Sequence, residues 1–319
     1  PIRKVDTKPM LLARAWPALV IEGGYLYIIG GLDGRPAALS LVERVDLKTG
    51  ISRPFANLRK PRYGHQAFVH AGKLHVVGGL GFSGARRTAP LPGATTGEGA
   101  AYQWTEGAAP VLQTSVESID LATGALADET PLPEGRSGFG LVTSAKSARV
   151  IAGTGGTRGN PQVTSAILEY DFATRAWSRA GRAPVIGAAS LVRVGQGHII
   201  AAGGYDGQQA SDRIFAFTEA TRSWKELPRL CQPVSSSAAA HLGNYLFFFG
   251  SYDSPDEIII YNLLTKTSEA LRLGYTPARS AAAIATERRI YVVGGKETKD
   301  ARPNNQIQIF ELAEKPQSR

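Results

Sequence analysis

A run of apolar residues that ends in two small residues, nearly always a pair of glycines, returns six times along the chain. The six runs occupy 25–31, 73–79, 149–156, 198–204, 245–251 and 289–295. Short apolar runs rich in β-branched and aromatic residues predict buried strands. The first glycines are 44 to 48 residues apart except for one interval of 77. A nearly constant period with one long interval indicates a repeat array with a single insertion.

Each apolar run is preceded by a segment of small residues. These segments lie at 15–21, 64–69, 138–142, 187–192, 235–240 and 280–285. Alanine, serine and glycine are poor choices for an ordinary strand. They suit strands that crowd around a common axis, where larger side chains would collide, so we expect these segments to be the innermost strand of each repeat.

A third strand is predicted after each apolar run, and in most repeats it ends in a side chain that can close a tight turn. The turn pairs, three residues apart, are Asp46 and Thr49, Asp120 and Thr123, Asp171 and Thr174, Thr218 and Thr221, and Asn262 and Thr265. Such side chains bond backbone N–H groups in turns. The turn leads into a fourth strand, in which Trp177 and Trp224 are expected to pack.

Four antiparallel strands in each of six repeats predict an all-β fold, a six-bladed β-propeller in a single domain, 1–319. We expect blades at about 11–58, 59–132, 133–182, 183–229, 230–274 and 275–312, with the insertion 80–114 in the second. The last repeat has no fourth strand of its own. Residues 2–6 are expected to supply it, which would close the ring and remove an exposed sheet edge.

Composition and charge indicate only some properties of the possible binding partners. The chain has 319 residues, a net charge of +9 and a pI near 9.7, which favours anionic partners through long-range attraction. Its basic residues form no run, so nucleic acid is not expected. Cys231 is the single cysteine, which excludes an internal disulfide, and no apolar run is long enough to span a membrane. We expect a monomer without a cofactor.

The start of the chain suggests processing. It begins at Pro1, without an initiator methionine or a signal-like apolar stretch. We therefore expect a processed or trimmed chain and favour a periplasmic or secreted location over a cytoplasmic one.

Three motifs carry a family resemblance. Gly-Gly-Leu-Asp-Gly at 30–34, Gly-Gly-Tyr-Asp-Gly at 203–207, and the Asp, Thr and Trp of 171–177 resemble Kelch repeats. The resemblance covers essentially the whole chain and implies a propeller. It departs from the family pattern at the insertion and at Ser251, which stands where the second glycine of the fifth pair is expected.

The topology predicts where a ligand would bind. In a four-stranded meander, the loop leading into the first strand and the loop leaving the second strand lie on the same rim. Arginines precede four of the first strands: Arg14, Arg62, Arg136 and Arg279. Guanidinium groups gathered there would suit carboxylate, phosphate or sulfate groups. The alternative is that each arginine pairs with an acidic residue or a carbonyl of a neighbouring blade.

Further candidates lie on the same rim. Those in the second loops and the insertion that we expect to contact a ligand are Tyr205, Gln208, Tyr252, Arg158, Arg86 and Trp104. The insertion is long enough to be a functional lid or partner-binding loop. Resemblance to the animal Kelch adaptors of Cullin ubiquitin ligases implies contacts of Arg62, Arg136 and Tyr205 with acidic peptides.

The sequence contains few residues in patterns typical of an enzyme active site. The five histidines do not converge in the predicted topology, so no metal site is expected, and the nucleophile, phosphate-binding and dinucleotide-binding motifs are absent. The chain is also distantly similar to six-bladed sialic acid mutarotases, which use a glutamate and an arginine. The loop 205–209 lacks a glutamate, so Glu98 or Glu106 of the insertion would have to replace it. The sequence favours a module that binds an acidic peptide or protein, with an isomerase for an acidic sugar as the alternative.

Overall fold

The computed structural model describes residues 2–35, 37–91, 101–107, 109–157, 160–185, 187–195 and 197–313. Over these ranges the protein is all-β and forms no α-helix. A membrane-spanning helix of sufficient length and hydrophobicity is accordingly not found in them. The predicted class of secondary structure is confirmed.

The described residues form 32 strands, numbered in chain order. They are β1 Ile2–Pro9, β2 Ala18–Glu22, β3 Tyr25–Ile29, β4 Ala37–Leu39, β5 Leu41–Asp46, β6 Ser52–Asn57, β7 Gln66–His70, β8 Lys73–Val77, β9 Leu80–Phe82, β10 Arg86–Pro90, β11 Ala101–Glu106, β12 Pro110–Leu112, β13 Val116–Asp120, β14 Leu126–Glu129, β15 Gly135–Ser137, β16 Gly140–Thr143, β17 Ser147–Ile151, β18 Thr154–Thr157, β19 Asn160–Val163, β20 Ala166–Asp171, β21 Ala176–Arg182, β22 Ser190–Val194, β23 His198–Ala202, β24 Ile214–Thr218, β25 Ser223–Leu227, β26 Ala238–Leu242, β27 Tyr245–Phe249, β28 Ile258–Asn262, β29 Thr267–Leu271, β30 Ala282–Ala285, β31 Arg289–Val293 and β32 Gln306–Leu312.

Most strands belong to six four-stranded antiparallel sheets. In order from the first strand outward, sheet 1 is β2-β3-β5-β6, sheet 2 is β7-β8-β13-β14, sheet 3 is β16-β17-β20-β21, sheet 4 is β22-β23-β24-β25, sheet 5 is β26-β27-β28-β29, and sheet 6 is β30-β31-β32-β1. Each first strand contacts the first strand of the next sheet, and β30 contacts β2. The small-residue segments therefore lie together, as predicted.

The last sheet takes its outermost strand from the start of the chain. β1 pairs antiparallel with β32, with Ile2 opposite Leu312 and Pro9 opposite Gln306. Ile2 is buried with residues of sheets 5 and 6. The strand predicted at 2–6 is thus found at this edge and is slightly longer.

The paired glycines let neighbouring sheets approach each other closely. The second residue of a pair donates its N–H to a carbonyl of the next sheet, as Gly31 does to Arg62 at 2.8 Å and Gly79 to Arg136 at 2.7 Å. Gly204 and Gly295 make the same bond, to Val234 and Arg14. Both residues of a pair have positive φ, 55° and 111° at Gly30 and Gly31, a region that favours glycine.

One pair differs from the sequence prediction. In sheet 3 the equivalent residues are Ala152 and Gly153, with φ of 59° and 95°, directly after β17. Gly155 and Gly156, which the sequence pattern had suggested, lie in β18. An alanine takes the first position of the pair there. The glycine pair at 155–156 therefore predicts the end of the strand three residues too late.

The turns after the third strands form as predicted in four sheets. The Asp46 carboxylate accepts the backbone N–H of Thr49 at 2.9 Å, and Asp120, Asp171 and Asn262 accept the equivalent bond. In the fourth strands, Trp177 packs on Tyr170 and donates from Nε1 to the Thr130 carbonyl of sheet 2, and Trp224 packs on Phe217. Both indoles are therefore packing residues.

The insertion contains ordered strands. β9 pairs with β12, β10 pairs with β11, and β11 pairs with β4 of the loop that joins the second and third strands of sheet 1. The insertion therefore reaches from sheet 2 back over sheet 1. Its segment 92–100 lies outside the described residues.

Candidate functional site

The six first strands surround a cavity on the axis. It has a volume of about 200 Å³ and is lined by the segments at which these strands begin. Its lining includes Trp16, His65, Gln66, several serines and many alanines and glycines. No Asp, Glu, Lys or Arg occurs among the described lining residues. The cavity wall therefore mixes polar and apolar residues and carries none of these charged side chains, which differs from the expected arginine lining.

Backbone hydrogen bonds join neighbouring first-strand segments around part of this cavity. Six equivalent residues, one from each sheet, have φ between 44° and 61°: Trp16, Gly64, Gly138, Ala188, Ser236 and Ser280. N–H groups of these residues donate to carbonyls of their neighbours among the six, from Trp16 to Ser280 at 2.8 Å and from Gly64 to Trp16 at 3.1 Å. The same bond runs from Gly138 to Gly64 and from Ser236 to Ala188. Left-handed backbone at non-glycine residues is uncommon and is held here by this pairing.

Three of the predicted arginines are buried behind the cavity wall. The side chains of Arg14, Arg62 and Arg136 are 0% exposed. They form ion pairs with Glu43, Glu117 and Glu134, respectively. Each also donates to the carbonyl of the first residue of its own glycine pair, or of Ala152 in sheet 3. These guanidinium groups brace their own sheets, and as folded here they do not line a bowl that a ligand could enter.

The buried glutamates were missed in the sequence. Glu43 and Glu117 occupy the same place in β5 and β13, and each accepts backbone N–H groups from the segment leading into a first strand. The available signal was a glutamate three residues before the turn aspartate in both third strands, at a position between apolar residues of the strand, since a buried charge needs a partner.

Arg279 differs from the other three arginines. The residue equivalent to Arg14 and Arg62 in sheet 6 is Ala278, whose carbonyl lies against Gly250 as that of Arg62 lies against Gly30. Arg279 is therefore one position later than the sequence alignment implied. Its guanidinium lies 4.0 Å from the ring centroid of Tyr252 and donates to the Tyr252 carbonyl at 2.9 Å. It is 8% exposed and has no carboxylate partner among the described residues.

Strands of the connecting loops cover one half of the rim. The sheets β10-β11-β4, β12-β9 and β15-β18-β19 all belong to the loops of sheets 1 to 3. The corresponding loops of sheets 4 to 6, at 203–213, 250–257 and 294–305, contain no strand. The half of the rim formed by sheets 4 to 6 is therefore the less covered half, and we call it the open half.

The open half presents aromatic and basic side chains. Tyr205 and Tyr252 directly follow the paired residues of sheets 4 and 5 and are 41% and 40% exposed. Lys296 has the same place in sheet 6, and its backbone pairs with that of Arg279. Gln208 is also exposed in this half.

The remaining predicted contact residues are dispersed. Arg86 is exposed and donates to the carbonyls of Leu58 and Arg59. Trp104 is only 8% exposed, because its ring is buried beneath Tyr102 and Arg35, so it is not a surface residue of a lid. Arg158 lies outside the described residues. Glu106 forms an ion pair with Arg87 at 3.0 Å, and Glu98 lies outside the described residues.

Two histidines, His65 and His75, are buried, and burial lowers the pKa of each. His65 lines the axial cavity, and neither of its ring nitrogens has a hydrogen-bond partner among the described residues. Burial, and then the charge of Arg62, holds the pKa of His65 well below 6.5. Burial lowers the pKa of His75 to about 4. The described residues contain no group of three or more His, Cys, Asp or Glu side chains that could hold a metal ion.

The sheets and the axial cavity define the protein as a β-propeller. A family model described as Kelch motif matches residues 188–230, within sheet 4 and its loops. The solved structure described as "Structure of YjhT" superposes with a TM-score of 0.71 at 14% sequence identity, covering 94% of this chain and 95% of that one. No curated protein sequence matches. The motif and the shared fold support the assignment as a Kelch-repeat protein.

Proposed function

We propose that the six four-stranded sheets are the blades of a closed six-bladed propeller comprising the whole chain. The cyclic contacts of the first strands and the pairing of β1 with β32 support this architecture. Its blades would have the boundaries expected from the sequence. A closed ring leaves the loops of one rim as a continuous surface, on which a partner can bind.

We propose further that the open half binds an acidic peptide or a protein with an acidic segment. The observation that carries this proposal is Arg279, a largely buried guanidinium group that stacks on Tyr252 but has no carboxylate partner among the described residues. A buried charge is costly unless it is paired. A ligand carboxylate would complete the pair that Arg14, Arg62 and Arg136 already have within the protein.

The surrounding side chains fit a peptide ligand. Tyr205 and Tyr252 offer exposed aromatic surface, and tyrosine and arginine are enriched among the residues that carry binding energy in interfaces. Lys296, whose backbone pairs with that of Arg279, adds a second positive charge to the open half, with its Nζ donating to the Lys299 carbonyl at 2.8 Å. The net charge of +9 would bring acidic partners toward the protein.

Binding can be measured with fluorescent acidic peptides. A library of peptides rich in Asp and Glu, together with versions carrying Asn and Gln instead, is titrated with the protein, and anisotropy is recorded. We expect saturable binding of acidic members and a loss of about tenfold or more in affinity for Arg279→Gln, the size of one charge-assisted contact. Arg53→Gln, at an exposed arginine of β6, is the matched control. Equal binding of charged and uncharged peptides, or unchanged binding by Arg279→Gln, would refute the proposal.

The alternative function, isomerisation of an acidic sugar, has less support. Proton transfer needs a general acid or base within reach of the substrate. The axial cavity has no carboxylate among its described lining residues, and burial lowers the pKa of His65 there well below 6.5, which makes it a weak base. NMR exchange spectroscopy on the anomers of an acidic sugar tests this function directly, because catalysis would raise the exchange rate above that of buffer.

A further inference from the structure

A second cavity lies where sheet 6, sheet 1 and the insertion meet. Its volume is about 330 Å³, and we call it the seam cavity. The residues that define its character are Leu12, Asp33, Arg35, Leu39, Tyr102 and Arg302. Small-molecule sites commonly fall in the range of about 300 to 1,000 Å³, with apolar walls and a few polar groups. The seam cavity has that size and that composition.

The insertion supplies one wall and is firmly anchored. The Gln103 carbonyl accepts a hydrogen bond from the Ser40 N–H at 2.9 Å, and the Asn57 amide donates to the Ala101 carbonyl at 2.9 Å. Tyr102, between these anchors, stacks on Trp104 with ring centroids 5.3 Å apart. A residue from the second repeat is thereby fixed over the loop of the first, which gives the cavity a preformed aromatic wall.

The two arginines of the seam cavity have different charge environments. Arg35 is neutralised by Asp33, with Nε to Oδ2 at 2.9 Å, and its guanidinium lies 4.5 Å from the ring centroid of Trp104. Arg302 is exposed and has no hydrogen bond or ion pair with any described residue. Its aliphatic stem packs on Gly34, where an added Cβ would lie 3.1 Å from the Arg302 Cγ. The cavity therefore has one unpaired positive charge.

We propose that the seam cavity binds a small carboxylate with a ring-shaped apolar body. The ring would lie against Leu12 and Tyr102, and the carboxylate would pair with the free guanidinium of Arg302. A forked guanidinium matches a carboxylate bidentately. A monoanion is the matching charge, because Asp33 already balances Arg35. Arg302 lies in the loop 294–305 of the open half, but the seam cavity contains none of Arg279, Tyr205, Tyr252 and Lys296, on which the acidic-peptide proposal rests.

Ligand binding there would connect the first and last repeats. Arg302 lies in the loop of sheet 6, whereas Leu12 and Leu39 belong to segments of sheet 1. The two repeats already meet in backbone bonds, from Met10 to Asn305 at 2.7 Å and from Arg14 to Asn304 at 3.2 Å. A ligand that binds only the folded protein raises its melting temperature. Occupancy of the seam cavity should accordingly stabilise the protein.

The probe is phenylacetate, and its uncharged counterpart is 2-phenylethanol. Both are titrated into the full chain by calorimetry, and melting temperatures are recorded with each. We expect one saturable site for phenylacetate and binding of 2-phenylethanol that is weaker by about tenfold or more, as expected for loss of a charge-assisted contact. Equal binding of the two compounds, or no saturable binding of phenylacetate up to its solubility, would overturn the proposal.

Single-residue variants test whether phenylacetate binds in the seam cavity. Arg302→Gln should weaken phenylacetate binding by about tenfold, whereas Arg288→Gln, at an exposed arginine of the turn between β30 and β31, should leave it unchanged. Tyr102→Phe should bind normally, and Tyr102→Ala should bind less well. Binding that survives Arg302→Gln would place phenylacetate elsewhere and overturn the proposal. Acidic-peptide binding by Arg302→Gln should equal that of the parent protein, which separates this test from that of the open half.

Discussion

The Arg62 guanidinium and the Glu117 carboxylate form an ion pair in which neither side chain is exposed to solvent. Glu117 also accepts the N–H groups of Arg59 and Lys60, at 2.7 and 3.1 Å, and so holds the segment that leads into sheet 2. Arg14 and Glu43 repeat this arrangement in sheet 1. The pair is thus a structural device that fixes the start of a repeat against its own third strand.

Breaking the buried pair should destabilise the protein strongly. Arg62→Ala leaves Glu117 without its counter-ion, and the loss of one partner of a buried pair costs about 3 to 5 kcal/mol. Arg62→Met combined with Glu117→Leu removes both charges and should cost much less than Arg62→Ala. Urea unfolding gives the free energies. A stable Arg62→Ala variant with weakened ligand binding would instead support the original ligand role of this arginine.

The four arginines show which properties of the candidate site can be predicted from the sequence and which cannot. Their recurrence before first strands marks Arg14, Arg62 and Arg136 as equivalent residues, each with the internal acidic partner that was the alternative, whereas Arg279 is offset by one position and has no such partner among the described residues. Exposure depends on how the loops close over each guanidinium, which no local pattern encodes. The partner residues Glu43 and Glu117 are distant from Arg14 and Arg62 in sequence, by 29 and 55 positions.

His75 should make the stability depend on pH. The unfolded chain takes up a proton as the pH falls through 6.5, whereas folded His75 does so only near its pKa of about 4. Stability is therefore fully present above pH 6.5 and is lost between pH 6.5 and 4, by up to about 1.4 kcal/mol per pH unit. Burial is the main cause; Glu129 opposes the lowering, and His70 and Lys73 add to it.

His75→Phe tests this source of pH dependence. The imidazole stacks on Phe68 with centroids 4.7 Å apart, so a phenyl ring keeps the packing and removes the titration. Chemical unfolding at pH 7 and pH 5 should show a smaller loss of stability in the variant than in the parent. His65 remains in both proteins as a common background. An identical loss in both would show that His75 does not titrate as the structure indicates.

The edge strand β1 should contribute to the stability of sheet 6. Ile2 is 2% exposed and packs in the core between sheets 5 and 6, so Ile2→Ala should cost about 2 to 5 kcal/mol. Val5, on the same strand, is 37% exposed, and Val5→Ala should change the stability by about 0.5 kcal/mol or less. Thermal unfolding of both variants makes the comparison. Equal effects would mean that β1 is not docked as described.

Other features could not be obtained from the sequence because they depend on distant contacts. The pairing of β11 with β4 joins residues more than sixty positions apart. The sequence of 101–106 contains no pattern that predicts Leu39 as the neighbour of Trp104. The same pairing brings Tyr102 to the cavity that contains Arg302. By contrast, repeated local features such as the Asp46 turn were predictable, because their partners lie within three residues.

Gly79 should tolerate a side chain far less well than Gly24. Both have positive φ, 97° and 82°, so an alanine at either is strained by about 1 kcal/mol or more. An added Cβ at Gly79 would lie 2.8 Å from both the Tyr63 carbonyl oxygen and the His65 Cβ, whereas at Gly24 nothing lies within 4 Å. Gly79→Ala should therefore cost about 3 kcal/mol or more, since the segment that leads into β7 must move away from the end of β8 in the same sheet. Urea unfolding of the two variants measures the difference, and similar losses would mean that the segment leading into β7 is not packed as closely against Gly79 as the structure shows.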